Sequence, residues 1–239
     1  MPGLADRLVE PEILDGLAEK DPRAIAARRD LVRVNGLMFQ QAIMTRLLGR
    51  HVASPPRRIL EIGAGDGAFM LGVARRLAKR WPAVELTLLD RADLVTPERR
   101  VAFAELGWQA TAITADVFDW LHSAGDVRFD VVAANLFLHH FADADLARLF
   151  SALRLLAPVF VAAEPRRTGL AHAASRLLWA VGAGDVTRHD APTSVRAGFR
   201  HSELSTLWPA ESDHLEERGA GLFTHVFAAN RAERSIDDL

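Results

Sequence analysis

With 239 residues, 49% of them apolar and 25% charged, the chain has material for one ordinary core and a flank, which makes disorder and a second independent domain poor readings. Its 29 Lys and Arg stand against 31 Asp and Glu, for a formal net charge of −2 with no long basic run, so a nucleic-acid partner is disfavoured. The absence of cysteine excludes disulfides, thiolate nucleophiles and cysteine-ligated metals.

The first residues, MPGLADRLVEPEILDGLAEKDPRA, are charged throughout where a secretory signal needs an apolar centre. No later apolar run approaches the roughly 20 residues that cross a bilayer, so cytoplasmic residence without a membrane span is expected. From about Leu4 to Arg50 apolar residues recur at three and four, which predicts a helical flank over 1–53. Pro55 and Pro56 end it, and a second unit, 54–239, begins.

That unit alternates short apolar runs with amphipathic stretches. Strands are predicted at 57–62, 84–90, 109–114, 129–135 and 158–164, with helices at 68–80, 97–106, 143–156 and 170–181. Strands separated by helices specify right-handed crossovers, hence a doubly wound α/β sandwich with a parallel sheet. After a short helix in HSELSTLW, the segments SDHLEERGA and LFTHVFAANR read as an antiparallel hairpin turning at GAG.

The strongest local signal is ILEIGAGDG at 59–67, a strand running into Gly63, Gly65 and Gly67 before a helix. Glycines there let a ligand approach the backbone at the carboxyl edge of the sheet. A dinucleotide site spaces its glycines GxGxxG to seat a pyrophosphate, whereas here the spacing is GxGxG. Glu61 and Asp66 add carboxylates that repel a pyrophosphate and suit a cationic amino-acid and sulfonium group. Asp90, ending the second strand, can accept hydrogen bonds from both hydroxyls of a ribose, or simply cap the strand. Asp116, after the third strand, can receive an adenine amino group with Val117 and Phe118 beside the ring, or cap the helix that follows.

ILEIGAGDG, Asp90, the ADVF segment and the fourth strand running into NLFLHHF together resemble the class I S-adenosylmethionine-dependent methyltransferases over roughly residues 57–165. The resemblance implies a mainly parallel seven-stranded Rossmann-like sheet with a C-terminal antiparallel hairpin, and S-adenosylmethionine as cofactor. It places Glu61, Gly63, Ala64, Gly65, Asp90, Arg91, Asp116 and Val117 at the cofactor, with Asn135 and Leu136 at its methionine end. The flanks RRDLVRVNGLMF and TRHDAPTSVRAGF look like those of small-molecule methyltransferases of secondary metabolism and quinone modification. The acidic metal pattern of the catechol enzymes and the NPPY-type motif of the amino-methylating DNA enzymes are both missing, so no metal is expected.

Methyl transfer from a sulfonium needs alignment, exclusion of water and a base for an acceptor that carries a proton. His139 and His140 follow the fourth strand, and His189 lies in a Gly- and charge-rich segment within 166–200, a predicted pocket cover; His140 and His189 are the foremost base candidates. Asp190 can orient a histidine or cap a turn. Arg33 and Asn35 either reach into the cofactor cleft from the flank or lie on a solvated helix face, and Arg166, Arg167 and Arg188 either meet a substrate carboxylate or sit on the surface. The expected reaction is O-methylation of a small aromatic or polyketide-like acceptor. Its rivals are C-methylation of a quinone-type ring and a non-catalytic fold that binds a partner; a homodimer is compatible with the sequence.

Overall fold

The computed structural model describes residues 4–232, so the outermost residues of the two predicted segments, 1–3 and 233–239, lie outside it. Five parallel strands, β1 (Arg58–Ile62), β2 (Val84–Asp90), β3 (Trp108–Thr114), β4 (Val131–Asn135) and β5 (Val159–Pro165), form the sheet with an antiparallel pair, β6 (His214–Ala220) and β7 (Thr224–Asn230). Their order is β3-β2-β1-β4-β5-β7-β6. The direction of winding reverses between β1 and β4, which opens a crevice at the carboxyl ends of those strands.

Alternation along β1 divides the core. Ile59 faces α2 (Gln40–His51), α3 (Ala68–Leu77) and α4 (Pro97–Ala104), packed around Met44, Leu48, Met70, Val73 and Phe103. Leu60 and Ile62 face the other layer, α5 (Val117–Ser123), α6 (Asp143–Leu156) and α9 (Glu203–Leu207), with Leu149, Phe150, Leu153 and Trp208. Each such side chain removed from water contributes about 1.5–3 kcal/mol, and apolar residues at three and four along α6 supply five of them.

Two expectations are corrected. The helical flank read from about Leu4 to Arg50 is helical only from Pro22, as α1 (Pro22–Leu37) and α2, broken at Phe39, whose φ is 55°; residues 4–21 are irregular apart from one 3₁₀ turn at Leu14–Gly16. The carboxylate of Asp190 accepts the backbone N–H groups of Ile13 (2.9 Å) and Leu14 (3.0 Å), tying this strap to a remote helix. The predicted helix at 170–181 ends earlier, as α7 (Gly169–Ser175), with a separate 3₁₀ turn at Leu178–Val181. The charged segment after it forms a 13-residue helix, α8 (Asp185–Ala197), even though Pro192 lies inside it. Burial of Val186, Val195 and Ala197 on the face turned to the protein overrides the local penalty of the proline.

Candidate active site

The crevice holds a cavity of about 740 Å³, within the span of small-molecule sites, which are roughly 300–1,000 Å³. Its floor is the turn after β1. Gly63 and Gly65 have φ of 68° and 54°; a Cβ on Gly63 would stand 2.2 Å from the Phe137 ring, whereas one on Gly65 would meet open space. Glycine at 63 thus lets two loops touch, and at 65 it bares the backbone to the cleft. Asp90 fastens this turn to the end of β2: its Oδ2 accepts Gly65 N–H at 2.8 Å and its Oδ1 accepts Ala92 N–H at 3.0 Å. Carboxylate oxygens each hold more than one lone pair, so both can still receive a ribose hydroxyl.

Among the described residues, Glu61 Oε2, Asn135 Oδ1 and Asn35 Oδ1 are buried acceptors without a hydrogen-bond partner, and all three residues line the cavity. Burial pushes the Glu61 carboxyl well above the usual carboxylate range, and Asp90 and Asp66 nearby push it further. An ammonium group supplies the donors and the charge that this corner lacks, so the residues fit the amino-acid end of S-adenosylmethionine and would repel a pyrophosphate. Asp66 takes less part than its sequence position implied, because it caps Ala68 (2.9 Å) and pairs with Arg99 (2.9 Å).

A second cluster borders the same cavity. The fully buried Glu164, on β5, accepts the N–H groups of Phe137 (3.0 Å) and Leu138 (2.9 Å) and binds His139 Nδ1 at 2.8 Å. It therefore holds the 3₁₀ turn Leu138–His140 that follows β4. The opposite nitrogen of His139, Nε2, lies 3.5 Å from Glu12 Oε1 of the strap, and Ser194 of α8 donates to the same oxygen. Burial alone lowers an imidazole, but the two glutamates outweigh it and raise His139 to about 9. At neutral pH its ring is a cation. His140 is partly open to the cleft, its ring lies 4.2 Å from that of His139 at a tilt of 34°, and its Nδ1 is 3.4 Å from Asp15 Oδ2. The hydrogen bond from His140 holds Asp15 below its ordinary value.

The structure thus brings Glu61, Gly63, Ala64, Gly65, Asp90, Arg91, Asn135, Leu136, His139 and His140 around one cavity. Arg91 reaches Asp15 at 3.3 Å, and Leu136 has φ of 52°, a left-handed kink where β4 leaves the sheet. Four candidates lie away from the lining. Arg33 is largely exposed and pairs with Asp30 at 3.2 Å, whereas Asn35 of the same helix lines the cavity. Asp116 spends an oxygen on Phe118 N–H (2.8 Å) as a helix cap, with Val117 packed into the core beneath. His189 is more than half exposed and bonds its own neighbour, Asp190, at 3.0 Å.

Of the arginines, Arg167 is buried against Glu203, Arg188 is exposed and Arg166 reaches Gly221 O; none lines the cavity. Glu12, Asp15 and Glu164 were not anticipated. Only the strand position of Glu164, at the end of a predicted parallel strand, hinted at one of them.

Residues 59–158 match the family model described as a methyltransferase domain. A malonyl-acyl-carrier-protein O-methyltransferase of Geobacter sulfurreducens is 29% identical over 123 residues, which span 44% of this chain and 40% of that protein. Among solved structures, the plantazolicin methyltransferase BpumL in complex with SAH superposes with a TM-score of 0.60 at 16% identity, over 89% of this chain and 92% of the other. The magnesium protoporphyrin IX methyltransferase from Synechocystis PCC 6803 with bound SAH gives 0.55 at 16% identity, over 92% and 91%. Residues 59–158 thus match a methyltransferase domain, and the fold is that of solved methyltransferases that bind S-adenosylhomocysteine.

Proposed function

We propose that the protein transfers the methyl group of S-adenosylmethionine to a hydroxyl of a small, apolar acceptor of aromatic or polyketide type. The observation that carries this reading is the lining of one cavity, which combines orphaned carboxylate and amide oxygens with His140 and the apolar side chains of Leu31, Val34, Leu37, Met38 and Leu178. A relative named for malonyl-acyl-carrier protein and structural neighbours named for plantazolicin and magnesium protoporphyrin IX support a small-molecule acceptor.

S-adenosylmethionine supplies an electrophilic methyl group that moves by in-line displacement, so no covalent enzyme intermediate is required. Asp90 holds the ribose, while Glu61 and Asn135 hold the ammonium end. The Phe137 and Leu136 turn, fixed by Glu164, sets the edge against which the acceptor lies. His140, oriented by Asp15, meets the acceptor hydroxyl and takes its proton, a task His139 cannot perform as a paired cation. The described part of the N-terminal flank, residues 4–53, acts as the lid, and 166–200 covers the acceptor end.

Calorimetric titration of S-adenosylhomocysteine and of NAD into wild type and Asp90→Ala tests the first half. Micromolar binding of the homocysteine product that falls at least tenfold in the variant, with no NAD signal, is expected; silence from both ligands refutes the cofactor assignment. Labelled S-adenosylmethionine with a panel of phenols and quinols tests the second half. Transfer to a ring carbon, read as an alkali-stable product, would replace oxygen as the methylated atom.

A further inference from the structure

We propose that Glu12, His139 and His140 form a binding site for one divalent transition-metal ion of the zinc class, placed at the acceptor end of the cavity. Each of the three offers a ligand atom, and these atoms lie within 4.8 Å of one another. The 3.5 Å between His139 Nε2 and Glu12 Oε1 is too long for a good hydrogen bond, yet it is close to the edge of a tetrahedron whose metal bonds are about 2.0–2.1 Å.

The surrounding shell has the character of a metal centre. Glu164, fully buried, holds His139 Nδ1 at 2.8 Å and so directs Nε2 toward Glu12, where an arriving ion displaces the Nε2 proton to solvent; this is the carboxylate–histidine arrangement that fixes the tautomer of a metal ligand and raises its basicity. Ser194 fixes Glu12 by donating to its carboxylate, and Asp15 stands behind His140. Two histidines and one carboxylate make a borderline donor set that suits zinc, cobalt, nickel or iron(II) rather than magnesium or calcium, which prefer oxygen throughout. Three protein ligands leave a position open, and all three residues line the cavity, so that position faces the acceptor.

The inference deepens the reading under Proposed function and rests on it only for what the ion does. An ion there holds the acceptor oxygen and makes its hydroxyl more acidic, so that its proton passes to solvent through the cleft mouth and His140 acts as a ligand instead of as the free base. The methyl group then forms its bond to that oxygen as its bond to sulfur breaks.

The full chain, stripped with chelator, is titrated with zinc by calorimetry and with cobalt by visible absorption, for wild type, Glu12→Gln and His140→Ala, each checked for folding by thermal unfolding. Near-equimolar binding is expected, with an intense cobalt spectrum of low coordination number and an affinity that falls ten- to a hundredfold or more in each variant. Substoichiometric binding, or affinity and cobalt spectra unchanged in both folded variants, overturns the site. S-adenosylhomocysteine titrated into the same samples separates the two ideas, since loss of the ion site leaves cofactor binding intact and failure of the cofactor assignment leaves ion binding intact.

Discussion

At the cofactor edge, Glu61, Gly63, Ala64 and Gly65 sit in one strand-to-helix turn, and Asp90 joins them across the adjacent strand pair β1–β2. The acceptor wall has no such local origin. Glu12 and Asp15 come from the strap, Glu164 from β5, His139 and His140 from the turn after β4 and Ser194 from α8. One end of the cavity is thus specified by a few neighbouring residues, and the other by tertiary assembly of four segments. The first forms whenever the sheet forms; the second requires the strap to be seated.

Breaking the anchor of the acceptor wall has the largest expected effect. Glu164→Ala leaves the N–H groups of Phe137 and Leu138 and the His139 cation without their buried acceptor, at a cost on the order of 3–5 kcal/mol in urea unfolding. A loss below about 1 kcal/mol would mean that the turn is held by other contacts.

The second effect is one of pH. His139 is raised from 6.5 in the unfolded chain to about 9, so its pairing stabilises the fold fully below about pH 6.5 and is lost as pH rises through about 9. In chelator, wild type should lose on the order of 3 kcal/mol between those limits, and His139→Gln should lose far less. Parallel pH curves for the two proteins would contradict the buried cation.

The difference between the two ends also explains what the sequence revealed. Strands β2 and β3, helix α6 and the final hairpin match their predicted spans within about two residues, because apolar alternation and periodicity are local signals. The glycine turn and Asp90 were legible for the same reason. Glu12 and Asp15 were hidden because the strap has charged residues at no informative spacing, and its structure comes from Asp190, far away in the chain. Helix α8 was hidden by Pro192 and by the glycines before it. His189 looked attractive because its Gly- and charge-rich segment was read as a pocket cover; in helix α8 its ring turns outward.

Asp190→Ala sharpens the role of the strap. It deprives Ile13 and Leu14 of an acceptor, which costs about 1–2 kcal/mol, and limited proteolysis between residues 10 and 16 should accelerate. Methyl transfer should fall at least tenfold while S-adenosylhomocysteine affinity changes far less; equal losses in both would show that the strap serves the two ends alike. His189→Ala is the smallest change, within about 0.5 kcal/mol in stability and with transfer unaltered, as expected for an exposed ring outside the cavity. A large loss of turnover would return His189 to the reaction.

The unpaired carboxyl of Glu61 makes ligand capture an exchange of cations. In the free chain, burial and the charges of Asp90 and Asp66 keep a proton on it at pH values where an ordinary glutamate has lost one. An incoming ammonium takes over the work of that proton and expels it. Uptake of S-adenosylhomocysteine should therefore release protons into the medium, with a calorimetric heat that varies with the ionisation enthalpy of the buffer, and Glu61→Gln should abolish that variation. The corner that holds the cofactor would in this way act as a small proton-exchange site, tighter as acidity falls.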